Sequence, residues 1–211
     1  MNLFSMKRTL FSMKRTLGWT LALFVFLYAA GCDSTEPEED DGAGEEEVIT
    51  DVNLILTPLD GGEPLTFNAN FNEQGVEQSK DMLQLTAGVT YSGEVEFLNS
   101  FENEDITEEI RDEEPDAHRI FYTPGGDLAG RITISELSTD PNGDPLGVTY
   151  NMAVSAGEAV TGTLNVKLRH YEDGAELPGT KQNDDGVAEV PGVVENDVNI
   201  DFPVVISAAT E

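Results

Sequence analysis

The sequence has few cysteines, tryptophans and basic residues, and each shortage excludes a class of protein. A single cysteine in 211 residues means that no disulfide can form within the chain. The single tryptophan, Trp19, lies in an N-terminal apolar segment, so the rest of the chain lacks the side chain best suited to stacking on sugars, and a carbohydrate-binding module is disfavoured. Eleven basic residues stand against 41 acidic ones, a formal net charge of −30, and such a surface repels nucleic acid, which we therefore exclude as a partner.

Catalytic motifs are also missing. The sequence contains no GxSxG elbow, no HExxH pair and no P-loop. Carboxylates are abundant, but in so acidic a chain their presence does not indicate glycosidase chemistry. Because no nucleophile can be matched with a base, we expect the protein not to be an enzyme, and we expect no cofactor other than the metal ions considered below.

The first 31 residues contain, in the usual sequence, the three regions of an export signal. From Met13 two basic residues are followed by an apolar run, residues 17–30, and then by small residues before Cys32. The run is shorter than the roughly 20 residues that a membrane-spanning helix needs. We therefore interpret residues 1–31 as a signal peptide rather than as a membrane anchor.

The segment Ala29-Ala30-Gly31-Cys32 resembles the lipobox of bacterial lipoproteins. The resemblance implies cleavage between Gly31 and Cys32 and a diacylglyceryl thioether on Cys32. Each buried methylene contributes about 0.8 kcal/mol, so two or more acyl chains hold a protein stably on a lipid bilayer. We expect a cell-envelope protein, anchored by lipid to the outer membrane and either surface-exposed or facing the periplasm.

Residues 32–47 contain the acylated cysteine and an acidic tether. Nine of the fifteen residues from Asp33 to Glu47 are acidic, so the segment stays solvated and extends by self-repulsion, to about 50 Å at most. The simple interpretation is a disordered spacer. Acidic residues soon after the lipidated cysteine also resemble the surface-export signal of Bacteroidota-type lipoproteins, whereas in the enterobacterial scheme Asp33 would indicate retention in the inner membrane. The length of the acidic run favours the first scheme.

From residue 48 to residue 211 the sequence alternates between apolar and polar residues, which is typical of strands with one buried face. The alternating apolar residues are Val52, Leu54 and Leu56; Leu65, Phe67, Ala69 and Phe71; Val89, Tyr91, Val95 and Phe97; Ile132 and Ile134; Val148, Tyr150, Met152 and Val154; Val160, Leu164, Val166 and Leu168; and Val198, Ile200, Phe202, Val204 and Ile206. Pro203 lacks a backbone donor and predicts an edge or a bulge in the last strand.

One short helix is predicted between these strands. Asp105 can cap it, Glu108 completes a capping box, and Pro115 ends it after Glu114. Glycine- and proline-rich turns join the other segments. The pattern predicts an all-β domain, an antiparallel two-sheet β-sandwich (Ig-like or transthyretin-like) of seven to eight strands with one short helix.

The only two histidines lie near acidic residues. His118 follows a cluster that contains Glu114 and Asp116, and His170 ends an apolar row on a predicted strand. Histidine and carboxylate together can bind a transition metal, so these four residues form a candidate metal site. The alternative is that His170 makes an ordinary hydrogen bond at a strand end and that the neighbouring acids simply stabilise His118.

A second candidate site lies in the segment 140–144. Asp140, Asn142 and Asp144 offer oxygen ligands at alternate positions, as calcium loops do, but the later bidentate glutamate of an EF-hand is missing. A hairpin turn built on Asn142 and Gly143 explains the same residues with nothing bound, and we favour it. The acidic residues are spread along the whole chain, which favours a general cause such as life in high salt over a dedicated calcium site.

Several segments resemble a family of Bacteroidota-type outer-membrane lipoproteins of unassigned function, sometimes labelled "type 1 periplasmic binding fold superfamily". The matching stretches are EEEVIT (45–50), DITEEI (105–110), HRIFYT (118–123), DPNGDPLG (140–147), GTLNVKLRH (162–170) and DVNIDFPVVI (197–206). The family's HQ and LRH segments match His118 and His170, and Arg119 departs from the glutamine. The label implies an α/β fold, whereas the strands here follow one another directly. Family members are often encoded beside TonB-dependent receptors.

The resemblance implies a non-catalytic binding or accessory role, one that assists a TonB-dependent outer-membrane receptor. The alternative is a structural or adhesive module of the cell surface that binds no small ligand.

Overall fold

The computed structural model describes residues 47–171 and 194–209, with only the backbone described at Val194 and Glu195. These ranges contain eleven strands and one helix: β1 (Asp51–Pro58), β2 (Leu65–Phe71), β3 (Glu77–Lys80), β4 (Leu83–Thr86), β5 (Thr90–Asn99), β6 (Glu104–Asp105), α1 (Ile106–Asp112), β7 (His118–Gly126), β8 (Ile132–Ser135), β9 (Thr149–Val154), β10 (Val160–Tyr171) and β11 (Val194–Ser207). The predicted signal peptide, Cys32 and the tether before Glu47 lie outside the described residues.

The strands form two sheets. The larger has seven strands in the order β3-β2-β1-β5-β9-β8, with β6 paired to β5, and the smaller has four in the order β4-β11-β10-β7. The prediction of a two-sheet, mostly β fold with one short helix is confirmed. All pairings are antiparallel except that of β4 with β11, which is parallel.

Four of the strands were not predicted, and their residues show why. β3, β4 and β6 have only two to four residues each, too few for an alternating pattern. β7 begins with five consecutive buried residues, His118–Tyr122, because its outer face is covered as well as its core face. On that outer face Arg119 pairs with Asp140, from the loop that follows β8, and the guanidinium of Arg169 lies over the Phe121 ring at 5.9 Å. A strand covered on both faces shows no period of two.

Pro203 lies in the part of β11 that has a strand partner on one side only. β11 has β10 on one side, and β4 pairs with it on the other side only from Val204 onward. At Pro203 itself that second side has no strand partner among the described residues. The missing backbone donor therefore interrupts no hydrogen bond between β4 and β11.

The two sheets enclose one apolar core, in which a tyrosine pair joins the layers. The ring of Tyr150, from β9, stacks against that of Tyr122, from β7, with 4.1 Å between ring centroids. Tyr122 also donates a hydrogen bond of 2.7 Å from its hydroxyl to the Gly147 carbonyl. Tyr150 lies directly over Gly93 of β5, where an added Cβ would approach the ring to 2.4 Å.

We predict that Gly93→Ala destabilises the domain by about 3 kcal/mol, because overpacking a buried site typically costs about 1–3 kcal/mol and this ring has a second tyrosine behind it. The measurement is the free energy of unfolding from urea denaturation. Ser92→Ala, at the exposed neighbouring position of the same strand, is the control and should change it by less than about 0.5 kcal/mol. Equal effects of the two variants would contradict the prediction.

The helix lies where the capping pattern predicts it. The Asp105 side chain accepts a hydrogen bond from the Glu108 amide at 3.2 Å, while Ile106 and Ile110 are buried. Thr107 fastens the helix to β5, since its hydroxyl both accepts from the amide and donates to the carbonyl of Phe97. Within the described ranges, no helix is long and apolar enough to cross a membrane.

Candidate metal site

The two histidines lie side by side on neighbouring strands. His118 begins β7 and His170 is the penultimate residue of β10, and the antiparallel register places them directly opposite each other. Their ring centroids are 4.5 Å apart, with the ring planes tilted by 45°. Both residues are buried, His118 completely. The two predicted histidine ligands are therefore adjacent, a proximity that the sequence could not reveal because β7 was not predicted.

Glu114 reaches the same place from the turn between α1 and β7. One of its carboxylate oxygens lies 4.0 Å from His170 Nε2. Ligand atoms of Glu114, His118 and His170 all lie within 4.8 Å of one another. Asp116, which was predicted with them, is exposed and does not belong to this group. Three of the four predicted metal-binding residues thus come together.

Two further carboxylates, which were not predicted as ligands, face His118. Glu47 Oε1 and Asp197 Oδ2 each lie 3.9 Å from His118 Nε2. The side chain of Asp197 has no exposed surface, and that of Glu47 is 11% exposed. Glu47 is the last residue of the predicted tether, so only the fold shows that its side chain turns back into the domain.

A β-bulge turns Asp197 inward. Leu168 of β10 pairs with Val198 of β11, but His170 pairs with Glu195, so β11 has one residue more than β10 between these two pairs. In regular alternation Asp197 would face away from the core, because Val198 faces into it. An extra residue in one strand re-aims a side chain in this way. No feature of the sequence pattern indicated this bulge.

Hydrogen bonding determines which nitrogen of His118 faces the carboxylates. Nδ1 lies 3.1 Å from the Glu114 carbonyl oxygen, which can only accept, so Nδ1 carries the proton. Burial above all, and then the nearby positive charges of His170 and Arg119, lowers the pKa of His118 to about 4 despite that hydrogen bond. The ring is neutral at pH 7, and its Nε2 presents a lone pair. This nitrogen is buried and has no hydrogen-bond partner among the described residues.

Negative charge accumulates around this lone pair. Burial first, and then the charges of Glu109, Asp197, Glu114 and Glu104, raises the pKa of Glu47 to about 8. When Glu47 is deprotonated, its oxygens, those of Asp197 and the imidazole lone pair are all acceptors and repel one another across 3.9 Å. A positive charge between them, carried by a proton or a metal ion, makes the arrangement favourable.

The donor set and its spacing fit a transition-metal ion. Zinc binds imidazole nitrogen and carboxylate oxygen at about 2.0–2.2 Å, which in a tetrahedral site places ligand atoms roughly 3.4 Å apart. The ligand atoms of Glu114, His118 and His170 lie within 4.8 Å of one another, with 4.0 Å between Glu114 and His170, so the three side chains must move closer together, by up to about 1.4 Å, to bind the ion. Two imidazoles favour zinc, cobalt, nickel or copper over calcium and magnesium, which prefer oxygen ligands alone.

A buried ion pair, Arg119 with Asp140, holds the backbone of the site in place. The guanidinium of Arg119 donates to the carbonyls of Pro115 and His118, and at 2.8 Å to Asp140 Oδ2. Both side chains are buried, with 3% and 1% of their surface exposed. Arg119 therefore fixes the short segment that presents Glu114 and His118 to the site.

The predicted calcium loop is built as a hairpin turn. Asp140 Oδ1 accepts hydrogen bonds of 2.8 Å from the amides of Asn142 and Asp144, while Oδ2 binds Arg119. Gly143 completes the turn with a φ of 88° and donates to the Asp140 carbonyl. The Asp140 carboxylate is thus engaged by protein donors at both oxygens. Calcium binding at Asp140, Asn142 and Asp144 stays a prediction that these contacts do not support.

We predict that the metal-free domain loses about 1–2 kcal/mol of stability between pH 6.5 and 8. Glu47, with its pKa raised from 4.5 to about 8, keeps in the folded state a proton that it releases on unfolding, so stability falls as pH rises through this window. His118, with its pKa lowered from 6.5 to about 4, contributes the opposite slope below pH 6.5. The two slopes cancel between pH 4.5 and 6.5, which confines the net decline to the upper window.

Urea denaturation in the presence of a chelator, at several pH values from 6 to 8, measures this decline. Glu47→Gln should remove most of it because the amide does not titrate. Glu63→Gln, at an exposed carboxylate in the β1–β2 turn, should leave it unchanged. A decline that survives Glu47→Gln would show that another group causes it.

The chain was also compared with known proteins. No protein-family model, no curated protein and no solved structure matches it.

Proposed function

We propose that this protein is an envelope lipoprotein whose β domain binds a divalent transition-metal ion and does not catalyse a reaction. The observation that supports this most directly is the buried Nε2 of His118, a lone pair without a hydrogen-bond partner in the described ranges that faces two carboxylates at 3.9 Å. His170 and Glu114 lie beside it. A proton or a cation can join such a group of nitrogen and oxygen atoms, and the two adjacent imidazoles with Glu114 are a donor set that favours a transition-metal ion.

The lipobox-like segment supports the location. With Cys32 acylated, the domain is held on the lipid bilayer of the outer membrane by the acidic tether. A metal-binding domain in this place suits an accessory role, in which it presents an ion to an outer-membrane receptor.

Isothermal titration of the full chain in detergent, after removal of metals with a chelator, tests metal binding. We expect one zinc ion per chain and much weaker binding of calcium. Replacing both histidines, by His118→Gln and His170→Gln together, should abolish the zinc site. Asp116→Asn, at the exposed carboxylate beside it, should leave the affinity unchanged. Zinc binding that is equally strong without the histidines would place it at surface carboxylates and contradict the proposal.

Burial of the cluster favours a second candidate, a structural ion in a cell-surface module that has no transport role. Closed zinc sites are typically structural, because no coordination position is open. Affinity purification of the acylated protein from solubilised outer membrane separates the two candidates. A stoichiometric receptor in the eluate supports the accessory role, whereas recovery of the lipoprotein alone favours the structural module.

A further inference from the structure

We infer that an ion in this site is held by three protein ligands, Glu114, His118 and His170, and keeps one coordination position for water or for a donor atom of another molecule. The inference rests on the proposed metal binding and chooses between its two forms, because structural zinc sites are closed whereas this one keeps a position open. The ion is then one that the domain takes up and passes on, rather than a fixed part of the fold.

The donor set is the first argument. Within the described ranges, one group of at least three side chains has ligand atoms that all lie within 4.8 Å of one another, and it consists of Glu114, His118 and His170. Zinc takes four ligands, and two histidines, one glutamate and a water molecule form an established class of zinc site. Three protein donors of this kind suit an ion that completes its shell with a group from outside the chain.

The exposed fractions of the side chains are the second argument, because they show where the site reaches the surface. His118 has no exposed surface, whereas the side chain of Glu114 is 15% exposed. Glu47, beside His118, is 11% exposed. We therefore place the way in for water and ions at these two glutamates, an access that a permanently enclosed ion does not need.

Glu47 is positioned to bind the water rather than the ion. Its Oε1 lies 3.9 Å from His118 Nε2, yet Glu47 does not belong to the group of three ligands. A carboxylate just outside the coordination shell can accept a hydrogen bond from metal-bound water and orient it. The last residue of the predicted tether thus contacts the open position of the ion.

The rate at which a chromophoric chelator removes zinc from the full chain tests the inference. An open position lets the chelator bind the ion before a protein ligand leaves, so we expect the rate to rise in proportion to the chelator concentration. A closed site with four protein ligands releases zinc at a rate that does not depend on the chelator.

Copper(II) in place of zinc gives a readout of the bound water. Pulsed EPR of the copper-loaded chain in D2O detects the deuterons of a water molecule bound directly to the ion, and it also counts the coordinated imidazoles. We expect two imidazoles and a water ligand. This measurement uses the wild-type protein, so it does not depend on whether a variant folds.

Zinc titration of three variants separates the ligands from their neighbours. Glu114→Gln removes one of the three ligands and should raise the Kd for zinc by at least about 100-fold, the upper end of what partners outside the shell contribute. Glu47→Gln should raise it by less than about 10-fold, because the amide oxygen still accepts from the water. Glu113→Gln, at the exposed neighbour of Glu114, is the matched control and should not change it.

The outcomes separate the two proposals. Absence of zinc binding in the wild-type protein overturns both. Tight binding without a water ligand, or zinc release that does not depend on the chelator, overturns the open position and leaves the metal site standing as a structural one. A larger loss of affinity in Glu47→Gln than in Glu114→Gln also overturns the inference, because Glu47 would then be the ligand.

Discussion

Zinc at about a thousandfold excess over its Kd is expected to raise the free energy of unfolding by about 4 kcal/mol, because an ion that binds only the folded state stabilises it by mass action. For a domain of this size each kcal/mol raises the Tm by roughly 3 °C, so the expected increase is about 10 °C. Differential scanning calorimetry of the full chain, with zinc or with chelator, measures the increase in the Tm and in the free energy of unfolding.

The variants make this first prediction specific. His170→Ala removes one ligand, so most of the zinc-dependent rise in Tm should disappear while the fold is retained. Asp116→Asn should show the full rise. Magnesium or sodium at matched ionic strength should produce only the smaller stabilisation expected from screening a chain of net charge −30. A rise in Tm that is the same for zinc and magnesium would mean that screening causes it.

Arg119→Met is expected to destabilise the domain by about 3–5 kcal/mol, the usual cost of leaving one partner of a buried ion pair alone. Asp140 would keep its charge in a site where 1% of its side chain is exposed, and the carbonyls of Pro115 and His118 would lose their donor. The same change should weaken zinc binding, because Arg119 holds the segment that carries Glu114 and His118. Urea denaturation and zinc titration measure the two consequences.

Two comparisons check this second prediction. Asp140→Asn added to Arg119→Met should recover part of the lost stability, since the amide oxygen can still accept from the Asn142 and Asp144 amides without carrying charge. Arg111→Met removes the exposed pair with Asp112, in which both side chains are about half exposed, and should leave the free energy of unfolding nearly unchanged. If Arg119→Met lowered the free energy of unfolding by no more than Arg111→Met does, the buried pair would not stabilise the site.

Much of the fold could be predicted because local rules agree with the tertiary structure. Alternating residues such as Val52, Leu54 and Leu56 are all completely buried, as their period requires. The helix begins at Ile106, after the predicted cap Asp105, because the capping hydrogen bond depends on neighbours in the chain. Features that depend on a few adjacent residues are the ones that a single sequence reveals.

The site was predictable only in part, because its assembly depends on strand pairing. Histidine is rare in this chain, so His118 and His170 could be selected by type, but their contact depends on the register of β7 with β10. Asp197 alternates with apolar neighbours as a surface residue would, and only the bulge reverses its direction. Glu47 could not be distinguished from the other acids of the tether, because its role depends on where the chain enters β1.

The parallel pairing of β4 with β11 determines how this domain can fold. Residues 83–86 pair with residues 204–207, so more than 100 residues must be spanned before these strands meet. Loop closure over such a distance is slow, and proteins dominated by distant contacts fold in milliseconds to seconds or longer. Because β11 lies between β4 and β10, a nascent or translocating chain that stops before residue 194 leaves both of those strands with an open edge. Until β11 arrives, the partly folded chain is at its most vulnerable to aggregation.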